Sequence, residues 1–202
     1  MHAHAAISDM IRKRELRGGD LIFEAKLAEQ LAISRTPLRE ALQRLEGEGL
    51  VVRASGHSYA VRHVDLGEYL QSLKVRELLE GEAAMLAAGH VPPEEIASVR
   101  TEIDRLKRTE TYDIEDHWLS DNNLHRLSID HCGNDVLGRL IRQLRVTSQM
   151  FEIARLADRA QPDLTEHLQI LDALEAGDGE TARQAMQRHM RSLRQFAFEN
   201  IT

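Results

Sequence analysis

Ten histidines are spread over the 202 residues, and the C-terminal part holds a set whose spacing could bind a metal. Asp121 and His125 lie four apart in a helix-forming stretch, so both project from one face. His167 and His189 fall in two later stretches of helical periodicity. One carboxylate with three imidazoles suits zinc first, and also nickel, manganese or iron(II). Facing helices of a bundle are a known place to build such a site. His117 also stands four residues from Asp121, so spacing alone leaves His117 and His125 as alternatives. The bland alternative is a set of surface or hydrogen-bonded core histidines.

A second chemistry is written near the N-terminus. Residues 27–49 read LAEQLAISRTPLREALQRLEGEG. Leu27, Ala28 and Leu31 share a helical face, and Ile33 is placed to pack a turn. Ser34 is a suitable N-cap whose hydroxyl can accept from the next turn's amides. Pro37 sits near a helix start, where its missing N–H costs little. Leu38, Ala41, Leu42 and Leu45 form an apolar stripe. Arg35 and Arg39, four apart, project from the start of that helix. Forked donors at a helix N-terminus can approach phosphate and reach guanine O6 and N7 in a major groove. The competing expectation is ordinary pairing with acids such as the nearby Glu40.

Other elements must hold these residues in place. Residues 3–16 form a first helix, with Ala6, Ile7, Met10 and Ile11 as its packing face. Leu21 and Ile22 can pair as a short strand. Leu50, Val51 and Val52, a turn at Ser55-Gly56-His57-Ser58, and the partly alternating Tyr59, Val61 and Val64 predict a hairpin. A helix-turn-helix with a hairpin behind it is a winged helix-turn-helix. Asp65 then caps a helix, and only helical periodicity follows. Helices are expected over 66–89, 94–109, 113–131, 135–158, from Pro162 to Gly177, and over 179–199. Six helices with short connections predict an antiparallel bundle. The fold class is therefore mainly α, with a winged helix-turn-helix over 1–64 and a six-helix bundle over 65–202.

Composition narrows the function classes. Net charge is −7, which argues against nucleic acid until its distribution is seen. Residues 1–64 carry ten Lys and Arg against eight Asp and Glu, and the remainder is strongly acidic. So mild a basic excess predicts weak phosphate binding by a single copy, and hence a homodimer on DNA. There is no apolar run of about 18 residues to span a membrane, no signal-peptide layout, and a single cysteine, Cys132. A cytoplasmic, reducing setting is expected.

The stretch SRTPLREAL followed by QRLEGEGLV and a small wing resembles the DNA-binding domain of GntR-type bacterial transcription regulators over roughly residues 7–64. The resemblance implies that Arg35 and Arg39 contact bases and that Ser34 and Thr36 touch phosphates. It also implies that Gly56 and His57, at the wing tip, enter or border the minor groove. Further on, DNNLH at 121–125, GN at 133–134, EH at 166–167 and His189 resemble the all-helical effector domain, called FCD, of the FadR-type branch. That resemblance implies a divalent cation held by Asp121, His125, His167 and His189. Leu124 stands where the family often has an aromatic residue, a change of packing and not of ligation. Arg76, in VRELLE, matches a family arginine that can face the effector pocket. A guanidinium there could hold a carboxylate, and the alternative is a salt bridge to Glu80 at i+4. Asn134 is read as a helix cap.

The expected function is a metabolite-responsive transcription regulator, in most such proteins a repressor. It would bind operator DNA as a dimer and sense a small carboxylic acid at the metal. The alternatives are a metal-free regulator of the same family and a helical-bundle metalloenzyme. No HExxH, phosphate loop or nucleophile–base pair is present, so an enzyme is not expected.

Overall fold

The computed structural model describes residues 3–54, 58–109, 111–151 and 156–200. The chain divides into two compact units, residues 1–69 with 145–152, and residues 70–144 with 153–202.

The first unit starts with α1 (Ala3–Arg12), β1 (Leu21–Ile22), α2 (Glu24–Gln30) and α3 (Arg35–Gly47), followed by β2 (Val51–Arg53) and β3 (Tyr59–Val61). The strands form an antiparallel sheet of order β1-β3-β2, with Ile22 opposite Tyr59 and Val51 opposite Val61. Ile7, Leu38, Leu42 and Leu45 are fully excluded from solvent. The apolar stripe on α3 is thus the face on which this unit is built.

Helix α1 is shorter than expected. It stops at Arg12, and Arg14 turns the backbone with φ 60°. Arg14 donates from its side chain to the carbonyl of Gln149 at 2.9 Å. It thereby meets unsatisfied carbonyls at the end of α7 (Asp135–Met150). The Tyr69 and Phe151 rings stack 4.3 Å apart in the same unit.

The turn between α2 and α3 has a specific chemistry. After α2, the Ile33 N–H bonds the Ala28 carbonyl and the Ala32 N–H bonds the Glu29 carbonyl. This paired capping pattern needs a left-handed residue, and Ala32 supplies it with φ 53°. The same pattern closes α3, where Leu50 bonds Leu45 and Gly49 bonds Glu46, and there the left-handed residue is Gly49, φ 79°. Ala32 carries a Cβ in a region that only glycine enters without cost, and its side chain is exposed. Ala32→Gly is therefore expected to stabilise the first unit by about 0.5–1 kcal/mol. Urea unfolding should show a raised midpoint at unchanged slope.

The six helices after the wing are α4 (Leu66–Ala87), α5 (Pro93–Arg108), α6 (Ile114–His131), α7, α8 (Leu156–Glu175) and α9 (Gly179–Glu199). Asp65 caps α4 as expected, accepting from the Glu68 N–H at 2.8 Å. Asn134 caps α7 by accepting from the Leu137 N–H at 3.1 Å. Two boundaries differ from those the periodicity predicts. Helix α7 stops at Met150 and not near residue 158, and α8 begins at Leu156 with Pro162 inside it. In the second unit α8 packs on α5, α6 and α9, so it is the helix around which the candidate ligands of α6 and α9 gather.

Candidate metal centre and nucleic-acid interface

Helix α6 carries Asp121 and His125 one turn apart, α8 carries His167, and α9 carries His189. The structure brings these four together. A ligand atom from each lies within 4.8 Å of the others. His125 Nε2 is 3.4 Å and His167 Nε2 3.8 Å from the same Asp121 oxygen. All three rings are buried, with His167 and His189 edge to face at 4.7 Å between centroids.

The choice between His117 and His125 falls to the fold. His117 lies outside the four-residue set, and its Nε2 pairs instead with Asp163 on α8 at 3.3 Å. Burial pushes the His117 imidazole down, but the Asp163 carboxylate outweighs it and raises the pKa above the ordinary value.

The Nε2 atoms of His125, His167 and His189 are buried with no hydrogen-bond partner among the described residues. Leaving such an atom unpaired in a protein interior costs on the order of 1–3 kcal/mol, so three together are a poor core and a good ligand set. Burial, with the neighbouring His189, pushes His167 well below the usual imidazole range. The ring is therefore neutral at pH 7, as a metal ligand must be.

Two of the opposite nitrogens, those of His125 and His189, are held by carboxylates. His125 Nδ1 meets Glu80 Oε2, and His189 Nδ1 meets Glu166 Oε2 at 2.8 Å. Each carboxylate has its own guanidinium. Arg76 Nε donates to Glu80 at 2.6 Å, and Arg159 donates to Glu166 and to the Ser192 hydroxyl. Arg159 is also ion-paired with Asp163 at 2.8 Å. Burial raises the Glu166 pKa, but bonds from His189 and Arg159 outweigh it and hold it below the usual carboxylate range. Carboxylates that take the distal N–H fix these two imidazoles so that Nε2 presents its lone pair inward. Leaving the imidazoles aside, the cluster sets Asp121, Glu80, Glu166 and Asp163 against Arg76 and Arg159. This surplus of carboxylates over guanidiniums favours a bound cation. The donor set fits such an ion, which would supply Lewis acidity and open coordination positions for an anionic ligand.

Reading the sequence for ligands misses Asp163 and Arg159, and treats Glu80 only as a partner for Arg76. A signal is present in Arg159, Asp163, Glu166 and His167, which recur at helical spacing on one segment. The Arg76–Glu80 pair forms as the salt-bridge alternative describes, with Arg76 2% exposed. Glu166→Gln should keep the helix and lose the charge that orients His189. Metal affinity is expected to fall about 10–100-fold, as measured by competition with a chromophoric chelator.

In the first unit Ser34, Arg35, Thr36 and Arg39 are all exposed around the start of α3. Ser34 is the N-cap, with φ −77° and ψ 163°, yet its hydroxyl makes no cap bond. This corrects the capping expectation and leaves an exposed hydroxyl beside the helix's first amides. Arg39 pairs with Glu24 on α2, Nε to Oε2 2.7 Å, and not with Glu40. Gly56 and His57 lie outside the described residues. Arg53, which no sequence motif singles out, sits on β2 against Glu46 at 3.0 Å and over the Tyr59 ring.

Comparison with known proteins gives this geometry a family. Residues 2–61 match the family described as bacterial regulatory proteins, gntR family, and residues 71–192 match the FCD domain. The chain belongs to the GntR family of transcription regulators and carries an FCD domain. This GntR regulator is 31% identical over 202 residues to the Uxu operon regulator of Haemophilus influenzae, covering 90% of this chain and 75% of that one. It is 31% identical over 176 residues to the "Probable D-xylose utilization operon transcriptional repressor" of Paenarthrobacter nicotinovorans, covering 85% and 76%. Among solved structures, E. coli McbR/YncC superposes with a TM-score of 0.81 at 23% identity, covering 98% of this chain and 95% of that one, which shows a shared fold. The family is one of regulators and not of enzymes, so the metalloenzyme alternative falls away. Among the described residues no helix is long and apolar enough to cross a membrane.

Proposed function

We propose that this GntR regulator is a repressor that binds operator DNA as a homodimer and releases it in response to a small carboxylic acid sensed at a divalent metal. Residues 1–64 form the DNA-binding domain in this reading and residues 65–202 the effector domain. The observation that carries it is the convergence of Asp121, His125, His167 and His189, whose three Nε2 atoms are buried without a hydrogen bond among the described residues. Asp121, His125, His167 and His189 would hold the ion, with zinc the first candidate by its affinity for imidazole. Arg76 is the candidate partner for the acid's carboxylate, with its Nε already held by Glu80. Arg35 and Arg39 would read bases, Ser34 and Thr36 would hold phosphates, and the wing tip at Gly56 and His57 would meet the minor groove. Repression is supported by the name of the P. nicotinovorans relative and by the family resemblance. The acid would act by favouring a conformation whose DNA-binding domains fit the half-sites less well.

The test is a thermal-shift screen of small carboxylic acids, run on metal-loaded and chelator-treated protein, followed by DNA binding. One acid is expected to raise the melting temperature only in the metal-loaded protein and to weaken DNA binding. A shift indifferent to chelator would contradict a metal-centred sensor.

A further inference from the structure

Arg39 reaches solvent as a tethered arm. Its Nε donates to Glu24 at 2.7 Å, and it has no other hydrogen bond or ion pair among the described residues. Arg35, one turn earlier on α3, forms no ion pair among the described residues. Glu24 is the first residue of α2, where the helix N-terminus favours a carboxylate. Its side chain is 17% exposed while that of Arg39 is 60% exposed. The acid is therefore the fixed member of the pair and the arginine tip the outward one. The other arginine pairs on this unit's α3 and wing differ. Arg44 with Glu48 and Arg53 with Glu46 join partners whose acids are 38% and 33% exposed, a setting in which ion pairs hold little.

We infer that Glu24 is a positioning residue for DNA reading, holding Arg39 by its Nε edge so that the two terminal nitrogens face a base edge with two acceptors. The inference rests on the DNA-binding reading proposed above. A guanidinium bound at Nε keeps its two Nη groups for a guanine O6/N7 pair, and a tethered fork loses less freedom on binding than a loose one. The Glu24 charge has a second effect. It sits beside the arginine that would otherwise attract any phosphate, so it lowers sequence-independent binding, which is almost wholly electrostatic. Both effects raise the ratio of specific to non-specific affinity.

The experiment uses the full chain and a duplex that the wild-type protein selects from a random-sequence library, with a scrambled duplex of equal length as competitor. Glu24→Ala is expected to lower the specific-to-scrambled affinity ratio about tenfold and to raise affinity for the scrambled duplex. Its salt dependence should steepen by about one phosphate contact, a log–log slope change of ~0.9. Glu24→Gln keeps an acceptor for Nε without the charge, so it should steepen the salt slope but retain most of the discrimination. Arg39→Ala should lose discrimination alone, and adding Glu24→Ala to it should cost nothing further in the ratio. An unchanged ratio in Glu24→Ala, or an additive loss in the double variant, overturns the inference. If the wild-type chain selects no sequence at all, the DNA-reading proposal itself fails; if Arg39→Ala loses discrimination while Glu24→Ala keeps it, only the role of Glu24 fails. Circular dichroism on each variant separates these outcomes from a loss of fold.

Discussion

Replacing His189 or His167 with alanine is expected to reduce divalent-metal affinity by more than about a hundredfold, beyond the loss seen when only a supporting carboxylate is changed. The two rings occupy different positions in the cluster, so the two variants test different parts of it. His189 is braced by Glu166 at Nδ1, whereas His167 has neither ring nitrogen hydrogen-bonded among the described residues. Nothing but packing and the Asp121 carboxylate 3.8 Å away fixes His167. Its removal takes out a ligand and no hydrogen bond, so the helical content of His167→Ala should stay at the wild-type level. His117→Ala is the internal control. That ring is buried nearby but pairs with Asp163, so this variant should keep stoichiometric metal. Chelator competition and elemental analysis report both quantities. Equal loss in all three variants would mean that the cluster binds no ion of its own and that the effect is general destabilisation.

The second large effect is expected on stability. Arg76 and Glu80 are 2% and 1% exposed and joined at 2.6 Å. Arg76→Ala removes the guanidinium from a buried carboxylate that keeps its contact with His125 Nδ1, a change expected to cost about 3 kcal/mol, the low end for breaking a buried pair. The melting transition of the effector unit should fall by on the order of 10 °C. Followed by circular dichroism, the loss should appear without any added acid, because the pair acts within the fold. An Arg76→Met, Glu80→Leu double variant should recover much of the stability, since two matched apolar groups leave no charge behind. It should not recover metal affinity, because His125 would have lost the carboxylate at its Nδ1. A loss below about 1 kcal/mol in Arg76→Ala would show that this pair behaves like an exposed one.

Local periodicity makes much of the fold legible in the amino-acid sequence. The spacing of Leu38, Ala41, Leu42 and Leu45 marks the buried face of α3, and all four are buried. Asp65, Asn134 and the glycine-rich stops mark helix ends because caps are short-range chemistry. The four metal candidates are legible as residue types, and the family resemblance chooses His125 over His117 where spacing cannot. Pairings between distant segments are not legible. Glu24 meets Arg39 across 15 residues and Glu80 meets His125 across 45, and no helical period connects them. Pro162 misleads for a related reason. Its preferred place is the first helical turn, yet α8 starts six residues earlier, and Arg159, tied to Asp163, Glu166 and Ser192, holds the turn before it. Ion pairs within α8, together with the Arg159 bond to Ser192 on α9, help offset the hydrogen bond that proline cannot make.

The most direct test of metal sensing is elemental analysis of the full chain, purified without a histidine tag, incubated with zinc, nickel or manganese and then desalted. About one divalent ion per chain is expected in the wild type, and none retained by His167→Ala. Wild-type protein that emerges without metal after each incubation would contradict the metal-centred sensor, leaving a GntR-family regulator whose buried histidines serve the core alone.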